Sequence, residues 1–397
     1  MKDTYVKIDL DAVYNNAREI IKKYNKYKYY IGVVKSDAYG HGKYIVNELI
    51  RGGINYLAVS YINEALDIRK YNKDIPILCL QPISIDDVNK AVKENITITV
   101  HDYEYFKELN NLKLKGNLKI HLKIDTGMNR LGLKSSVEVK EIYDAINNNK
   151  NMTLEGIFTH FATVGIFDKH YDNQLDKFKE ITSLIDLNKI PIIHLNNSIS
   201  LITHPKESFT TGTRIGILMY GYNVSYQIAN SGIKNKLRLA RNSYYQNRYS
   251  ISKTYSNVKI NVLPAISMVT GIIQIKEVKQ GEYIGYGATY LANEDMLIAI
   301  LPVGYANGIG KSRGRFVIIN DKKYYVVGEV GMNMMSIRID KDVTLDSEVW
   351  ILGNGITLGM FSRFDGSSLS EVLLNVGRNN KKVYYKDGKL EHTEESR

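Results

Sequence analysis

The sequence predicts an α/β fold, an N-terminal (β/α)8 TIM barrel followed by a C-terminal, mainly-β domain, and three observations carry that expectation. Over the first 221 residues a short apolar run, a polar loop and an amphipathic segment alternate eight times. The apolar runs are almost unbroken, as in parallel strands covered on both faces. After residue 221 the alternation stops, and strand-like stretches follow one another without intervening helices.

In chain order the runs are YYIGVVK (29–35), YLAVSY (56–61), ILCLQ (77–81), ITITV (96–100), KIHLKID (119–125), LEGIFTHF (154–161), IIHLN (192–196) and GILMYG (216–221). The segments between them read as helices. In residues 11–24, Val13, Ala17, Ile20, Ile21 and Tyr24 fall on one helical face. An open, doubly wound sheet accommodates the same strand count, because the count alone does not close a barrel. Residues 222–260 are polar and read as an extended connection. The later strand-like stretches are 268–278, 296–304, 316–327, 348–353 and 382–391, with Asn320-Asp321 and Asp387-Gly388 as hairpin turns. The division expected is a barrel over 1–225 and a β-domain over 226–397.

Composition narrows the function classes. At 397 residues and 44% hydrophobic content, the chain can bury two sizeable cores. The start carries no apolar run like a signal peptide, and no stretch is long enough to span a membrane. A single cysteine, Cys79, excludes an intrachain disulfide and points to a reducing cytoplasm. The formal charge of +11 comes from scattered lysines, which read as a solvated surface, so no nucleic-acid or membrane partner is expected. One local exception is Lys234, Lys236, Arg238, Arg241 and Arg248, interleaved with Tyr244, Tyr245 and Tyr249. That mixture can bind single strands, but a solvated or dimer-facing loop is the plainer reading.

In such a barrel the C-terminal ends of the strands face the active site. Those positions hold Lys35, Lys123, Asp125, His160, Asn197 and Ser198. A lysine closing a buried apolar strand is costly unless its amine is neutralised or paired. Schiff-base formation with an aldehyde cofactor would remove that cost and supply an electrophile. An isolated VVK reads as simply as a lysine reaching the barrel rim. Likewise, a lone buried histidine is commonly a satisfied core residue, and Ser198 alone could be a helix cap. No Cys/His/Asp cluster resembles a metal site.

Lys35 is not isolated. The segment VVKSDAYGHG (33–42) resembles the pyridoxal-phosphate (PLP) lysine motif of alanine racemases, VVKANAYGHG. The resemblance continues through KIDTGMNRLG (123–132), THFAT (159–163), HLNNS (194–198), RIGILMYG (214–221), YGATY (286–290), PVGYANG (302–308) and GMNMM (331–335), covering nearly the whole chain in family order.

The resemblance implies a PLP-dependent racemase of a small amino acid, with alanine the family substrate. Lys35 is then the Schiff-base lysine and the base on one face of the substrate. Tyr286 is the base on the other, contributed by the partner of a head-to-tail homodimer with shared active sites. Tyr39, Ser198, Gly216 and Ile217 would hold the phosphate. Arg214 would face the pyridine nitrogen, with His160 and Asn197 near the cofactor. His194 would connect Arg214 to the catalytic tyrosine. Arg130 and the Met332 backbone would receive the substrate carboxylate. Lys123 matches a lysine that is carbamylated in many relatives and positions that arginine, and Tyr305 matches a tyrosine of the entry channel.

Two positions depart from the family. Asn333 stands where an acidic residue is usual, and Ser370 aligns with a phosphate-contacting tyrosine that narrows the side-chain pocket. The second change favours a larger or more polar substrate, serine first. Other readings remain: another PLP barrel enzyme such as a decarboxylase or aldolase, a PLP-homeostasis protein, or a degenerate member without racemase activity. Decarboxylases of the related fold lack the AYGHG context, and the homeostasis proteins are single barrels without a β-domain.

Overall fold

Seven of the eight apolar runs supply strands of a closed barrel, and a neighbouring segment supplies the eighth. The computed structural model describes residues 3–164, 169–223, 237, 240, 260–311 and 314–396. It divides into two compact units that interleave along the chain. One comprises residues 13–36 and 46–263, the other 1–12, 37–45 and 264–397. The single cut expected near residue 225 gives neither set.

The first unit is a closed barrel. Its strands are β2 (Tyr29–Val33), β3 (Tyr56–Val59), β4 (Ile77–Cys79), β5 (Ile96–Val100), β6 (Leu118–Lys123), β7 (Met152–Phe158), β8 (Ile192–His194) and β9 (Gly212–Ile215). All neighbours are parallel, and β2 closes the ring against β9 through Ile31 opposite Arg214. Strands β3, β4 and β5 are buried at every residue, which explains their unbroken apolar runs. The predicted helical face also forms: Val13, Ala17 and Ile20 are fully buried.

The eighth strand corrects the sequence reading. It is Gly212–Ile215, not 216–221. Residues 216–221 instead turn tightly, with Met219, Tyr220 and Gly221 N–H groups donating to the carbonyls of Gly216, Ile217 and Leu218. Those local bonds consume the backbone groups that a strand would need. Arg214 therefore sits on the strand itself.

The second unit is built on a ten-stranded sheet. Its strands are β1 (Tyr5–Asp9), β10 (Ile266–Thr270), β11 (Gln274–Val278), β14 (Met296–Leu301), β15 (Phe316–Ile319), β16 (Lys322–Val327), β17 (Met335–Ile339), β18 (Val349–Leu352), β19 (Lys381–Lys386) and β20 (Lys389–Glu394), with a separate hairpin of β12 (Tyr283–Ile284) and β13 (Tyr290–Leu291). The order across the sheet is β11-β14-β17-β16-β15-β18-β10-β1-β19-β20. Both predicted hairpin turns occur, with φ of 48° and 62° at Asn320-Asp321 and 49° and 70° at Asp387-Gly388. Unlike the expectation, this unit contains helices at Leu358–Asp365 and Leu369–Arg378. Both start on hydroxyl caps, Thr357 and Ser368.

Between β2 and the helix Val46–Arg51 the backbone does something unusual. Ser36, Asp37, Ala38 and Tyr39 all have φ between 51° and 55°, a left-handed turn without a glycine. The basic and aromatic residues named between 234 and 249 lie outside the described residues. Among the described residues no helix is long and apolar enough to cross a membrane.

Candidate active site

Within the barrel unit, positively charged groups converge at the C-terminal ends of the strands. Lys35 lies two residues past β2, Lys123 ends β6, Arg130 lies in the loop after β6, and Arg214 is on β9. Their fields meet at His160, just past β7. Burial and then Arg214, Lys123, Arg130 and Lys35 together push that imidazole down to about 2. Burial and Arg130 also lower the Lys35 amine, against a weaker pull from Glu64. Burial, Arg214 and Arg130 press Lys123 well below the usual lysine range, and its Nζ lies 4.8 Å from the Phe158 ring centre.

The nearby carboxylates are occupied. Glu64 accepts from the N–H groups of Ser36 (2.5 Å), Ser60 (2.8 Å) and Tyr61 (3.2 Å). Asp125 accepts from Gly127 and Asn129, both at 3.0 Å, with Lys134 at 3.7 Å. Lys35, Lys123, Arg130 and Arg214 thus form a basic cluster whose neighbouring carboxylates, Glu64 and Asp125, are engaged by backbone N–H groups, and such a cluster suits an anionic ligand.

Arg214 is locked in place. Its guanidinium donates to the carbonyls of Thr159 (2.7 Å), His194 (2.5 Å) and Leu195 (3.0 Å), to His194 Nδ1 (2.8 Å), and approaches His160 Nδ1 at 3.4 Å. Burial lowers it to about 9, so it keeps its charge at neutral pH. His194 is bonded to Arg214, as expected, and its other side faces the barrel interior. That ring is fully buried, and its second nitrogen, Nε2, is 2.9 Å from His121 Nδ1.

The loops after β8 and β9 meet beside this arginine. Asn197 caps the helix Ser198–Thr203, accepting from Ile199 (2.9 Å) and Ser200 (3.1 Å). The Ser198 hydroxyl accepts from Gly216 N–H at 2.8 Å, and Ile217 begins the turn that follows. A hydroxyl and backbone donors held by two strand ends suit a phosphate. With a lysine of lowered basicity and a donor-only guanidinium, this set fits PLP chemically.

The remaining predicted residues belong to the sheet unit and form two groups. Tyr286, in the segment Tyr286–Ala288, lies over Gly331, with its Cε2 3.6 Å from where a Cβ on that glycine would be. Tyr305 and Ala306 donate to Gly331 (3.0 Å) and Met332 (2.9 Å) carbonyls, which gathers Tyr286, Tyr305, Met332 and Asn333. Tyr286 is 77% exposed, and Met332 and Tyr305 are also exposed. Tyr39 ends the left-handed turn, where burial pushes its phenol up to about 12. Gly40 beside it packs against the backbone of the helix Leu369–Arg378, in whose first turn Ser370 sits half-buried.

Sequence reasoning missed Glu64, His121 and Glu155. The available signal was placement: His121 is two residues before Lys123, hence on the same side of β6, and Glu155 is a charge inside an apolar run. Among the described residues no group of His, Cys, Asp or Glu could hold a metal ion.

Comparison with known proteins agrees with this geometry. A family model described as "Alanine racemase, N-terminal domain" matches residues 8–224, and one described as "Alanine racemase, C-terminal domain" matches 265–384. An alanine racemase of Staphylococcus epidermidis is 31% identical over 99% of this chain and 97% of its own length. One from Clostridium tetani is 32% identical over 98% and 97%. Among solved structures, an alanine racemase of Clostridium difficile superposes with a TM-score of 0.85 at 28% identity, covering 99% of this chain and 98% of that one. The alanine racemase of Bacillus anthracis with bound L-Ala-P gives 0.83 at 26%, covering 100% and 98%. With its closed barrel, mostly-β second unit and motifs in family order, the chain is an amino-acid racemase that belongs to the alanine racemase family.

Proposed function

We propose that this racemase uses PLP to interconvert the two forms of a small amino acid, alanine first, by a two-base mechanism. The observation that carries the reading is the lysine of lowered basicity, Lys35, grouped with Arg130, Lys123 and Arg214 around His160. Tyr39, Ser198, Gly216 and Ile217 would hold the phosphate of PLP, and His160 and Asn197 would border its ring. Arg214, kept in place by His194, would donate to the ring nitrogen. Arg130, positioned by Lys123, takes the substrate carboxylate; the Met332 backbone joins it, with Asn333 nearby and Tyr305 lining the entry, all three brought by the partner subunit together with the Tyr286 beside which they lie.

Bound there, PLP would supply an electron sink for the carbon that loses its proton. The Lys35 amine holds the proton on one face, and Tyr286 of the partner subunit serves the other. Two groups on opposite faces let the proton leave from one side and return from the other without turning the substrate over. The high exposure of Tyr286 supports a site completed by a head-to-tail homodimer.

The test is direct. The purified protein should carry the near-visible absorption of a lysine-bound PLP and exchange the α-proton of L-alanine into deuterated solvent. Lys35→Ala should lose both signals. Absence of the band in the parent protein would overturn the PLP reading, and a band without exchange would favour a degenerate binding protein.

Ser370 supports a second reading, preference for serine or another polar amino acid. It is half-buried in a helix whose backbone packs beside Tyr39's turn. Ser370→Tyr should then shift the serine-to-alanine ratio of kcat/KM toward alanine. An unchanged ratio, with alanine already preferred, would end that reading.

A further inference from the structure

The barrel interior carries a line of polar side chains that the roles above do not require. Arg214 donates to His194 Nδ1 at 2.8 Å, and His194 Nε2 lies 2.9 Å from His121 Nδ1. His121 Nε2 is 3.3 Å from Glu155 Oε2, an ion-pair distance at which its N–H is not aligned for a hydrogen bond. The same oxygen accepts from Tyr56 OH (2.6 Å) and Thr97 Oγ1 (2.8 Å), while Lys119 lies 3.7 Å from Oε1. Arg214, His194, His121, Glu155, Tyr56 and Thr97 each come from a different barrel strand. Barrel interiors are ordinarily filled by branched apolar side chains. A buried polar chain is costly unless its members satisfy one another, so its presence calls for a reason.

The ends of the chain fix its protons. A guanidinium only donates, so His194 Nδ1 must accept and its single proton sits on Nε2. That proton points to His121 Nδ1, which must also accept, leaving the His121 proton on Nε2, the nitrogen nearer Glu155. Burial lowers both imidazoles, so they are neutral. Burial pushes the Glu155 carboxyl up, but His121, Tyr56 and Thr97 outweigh it and hold it at about 2, ionised. Arg214 itself is shifted by burial alone, with no carboxylate acting on it directly.

We propose that Glu155, acting through His121 and His194, is the remote counter-charge of Arg214, and that this proton-ordered chain sets how strongly Arg214 donates to the group it faces. Glu155 and His121 are then positioning residues. The effect on a cofactor rests on the reading that Arg214 faces the PLP ring nitrogen; the chain itself does not.

Two measurements separate these. In protein labelled with 15N-histidine, two rings should each carry a proton on Nε2 and none on Nδ1 at neutral pH. A cationic His194, or one protonated on Nδ1, would overturn the chain. Glu155→Gln keeps the size and the acceptor but removes the charge. It should move both histidine signals, shift the absorption band of the PLP-loaded protein, and lower kcat by about tenfold with KM little changed. A variant that lost only thermal stability, with signals and band unmoved, would overturn the role of Glu155. If the parent protein shows no PLP band, the cofactor reading fails and the histidine measurement alone decides the chain.

Discussion

A methyl group at position 156 would lie 2.5 Å from Cε1 of His121 and 2.7 Å from both of its ring nitrogens. No side chain at that position of β7 can avoid a ring that is itself held between His194 and Glu155. Gly156→Ala should therefore lower stability by about 1–3 kcal/mol through overpacking. The check is a lower urea midpoint with an unchanged slope; an unaltered midpoint would mean that the ring is free to move. At this scale legibility was uneven. Lys35 could be read because eight of the ten residues 33–42 match a family motif. His121 and Glu155 could not, because each stands alone in an apolar run. What pairs them is closure of the barrel, which brings β6, β7 and β8 side by side, and no local pattern encodes that.

Among the elements, the left-handed turn Ser36–Tyr39 departs furthest from what the residues prefer. Each non-glycine residue in that conformation costs roughly 1–2 kcal/mol, so the surroundings must hold it. Two contacts within the sheet unit do so. The Gly40 backbone lies directly against Leu373 and Gly377 of the helix Leu369–Arg378, where a side chain on either glycine would collide with the other segment. Lys382, 1% exposed, reaches Asp37 Oδ2 at 3.1 Å, while Asp37 Oδ1 is buried without a hydrogen-bond partner. Nothing near Asp37 in sequence announces that partner. Lys382→Met would strand a buried carboxylate and should cost about 3–5 kcal/mol. Adding Asp37→Asn should recover part of the loss, because the stranded group is then neutral. Additive effects of the two substitutions would show that the pair does not hold the turn.

For the whole molecule, the alternation of apolar runs and helices was enough to count eight barrel strands, since each unit packs against its sequence neighbours. The sheet was harder to read, because β1 finds its partners at the far end of the chain. Tyr5 pairs with Val269 on β10 and with Lys381 on β19, and Val6 and Ile8 are fully buried. β1 thus stands inside the sheet, with seven strands on one side and the β19–β20 hairpin on the other. A fragment of residues 226–397, the β-domain as a single cut would define it, lacks that strand. It would expose the long unpaired edges of β10 and β19 and separate the hairpin from the remaining sheet. Such a fragment should unfold over a broad range of urea, bind apolar dyes and associate, whereas the full chain should not. Joining residues 1–12 and 37–45 to it should sharpen the transition. A fragment that already unfolds cooperatively as a monomer, with a slope proportional to its length, would mean that β1 completes the sheet without being needed to form it.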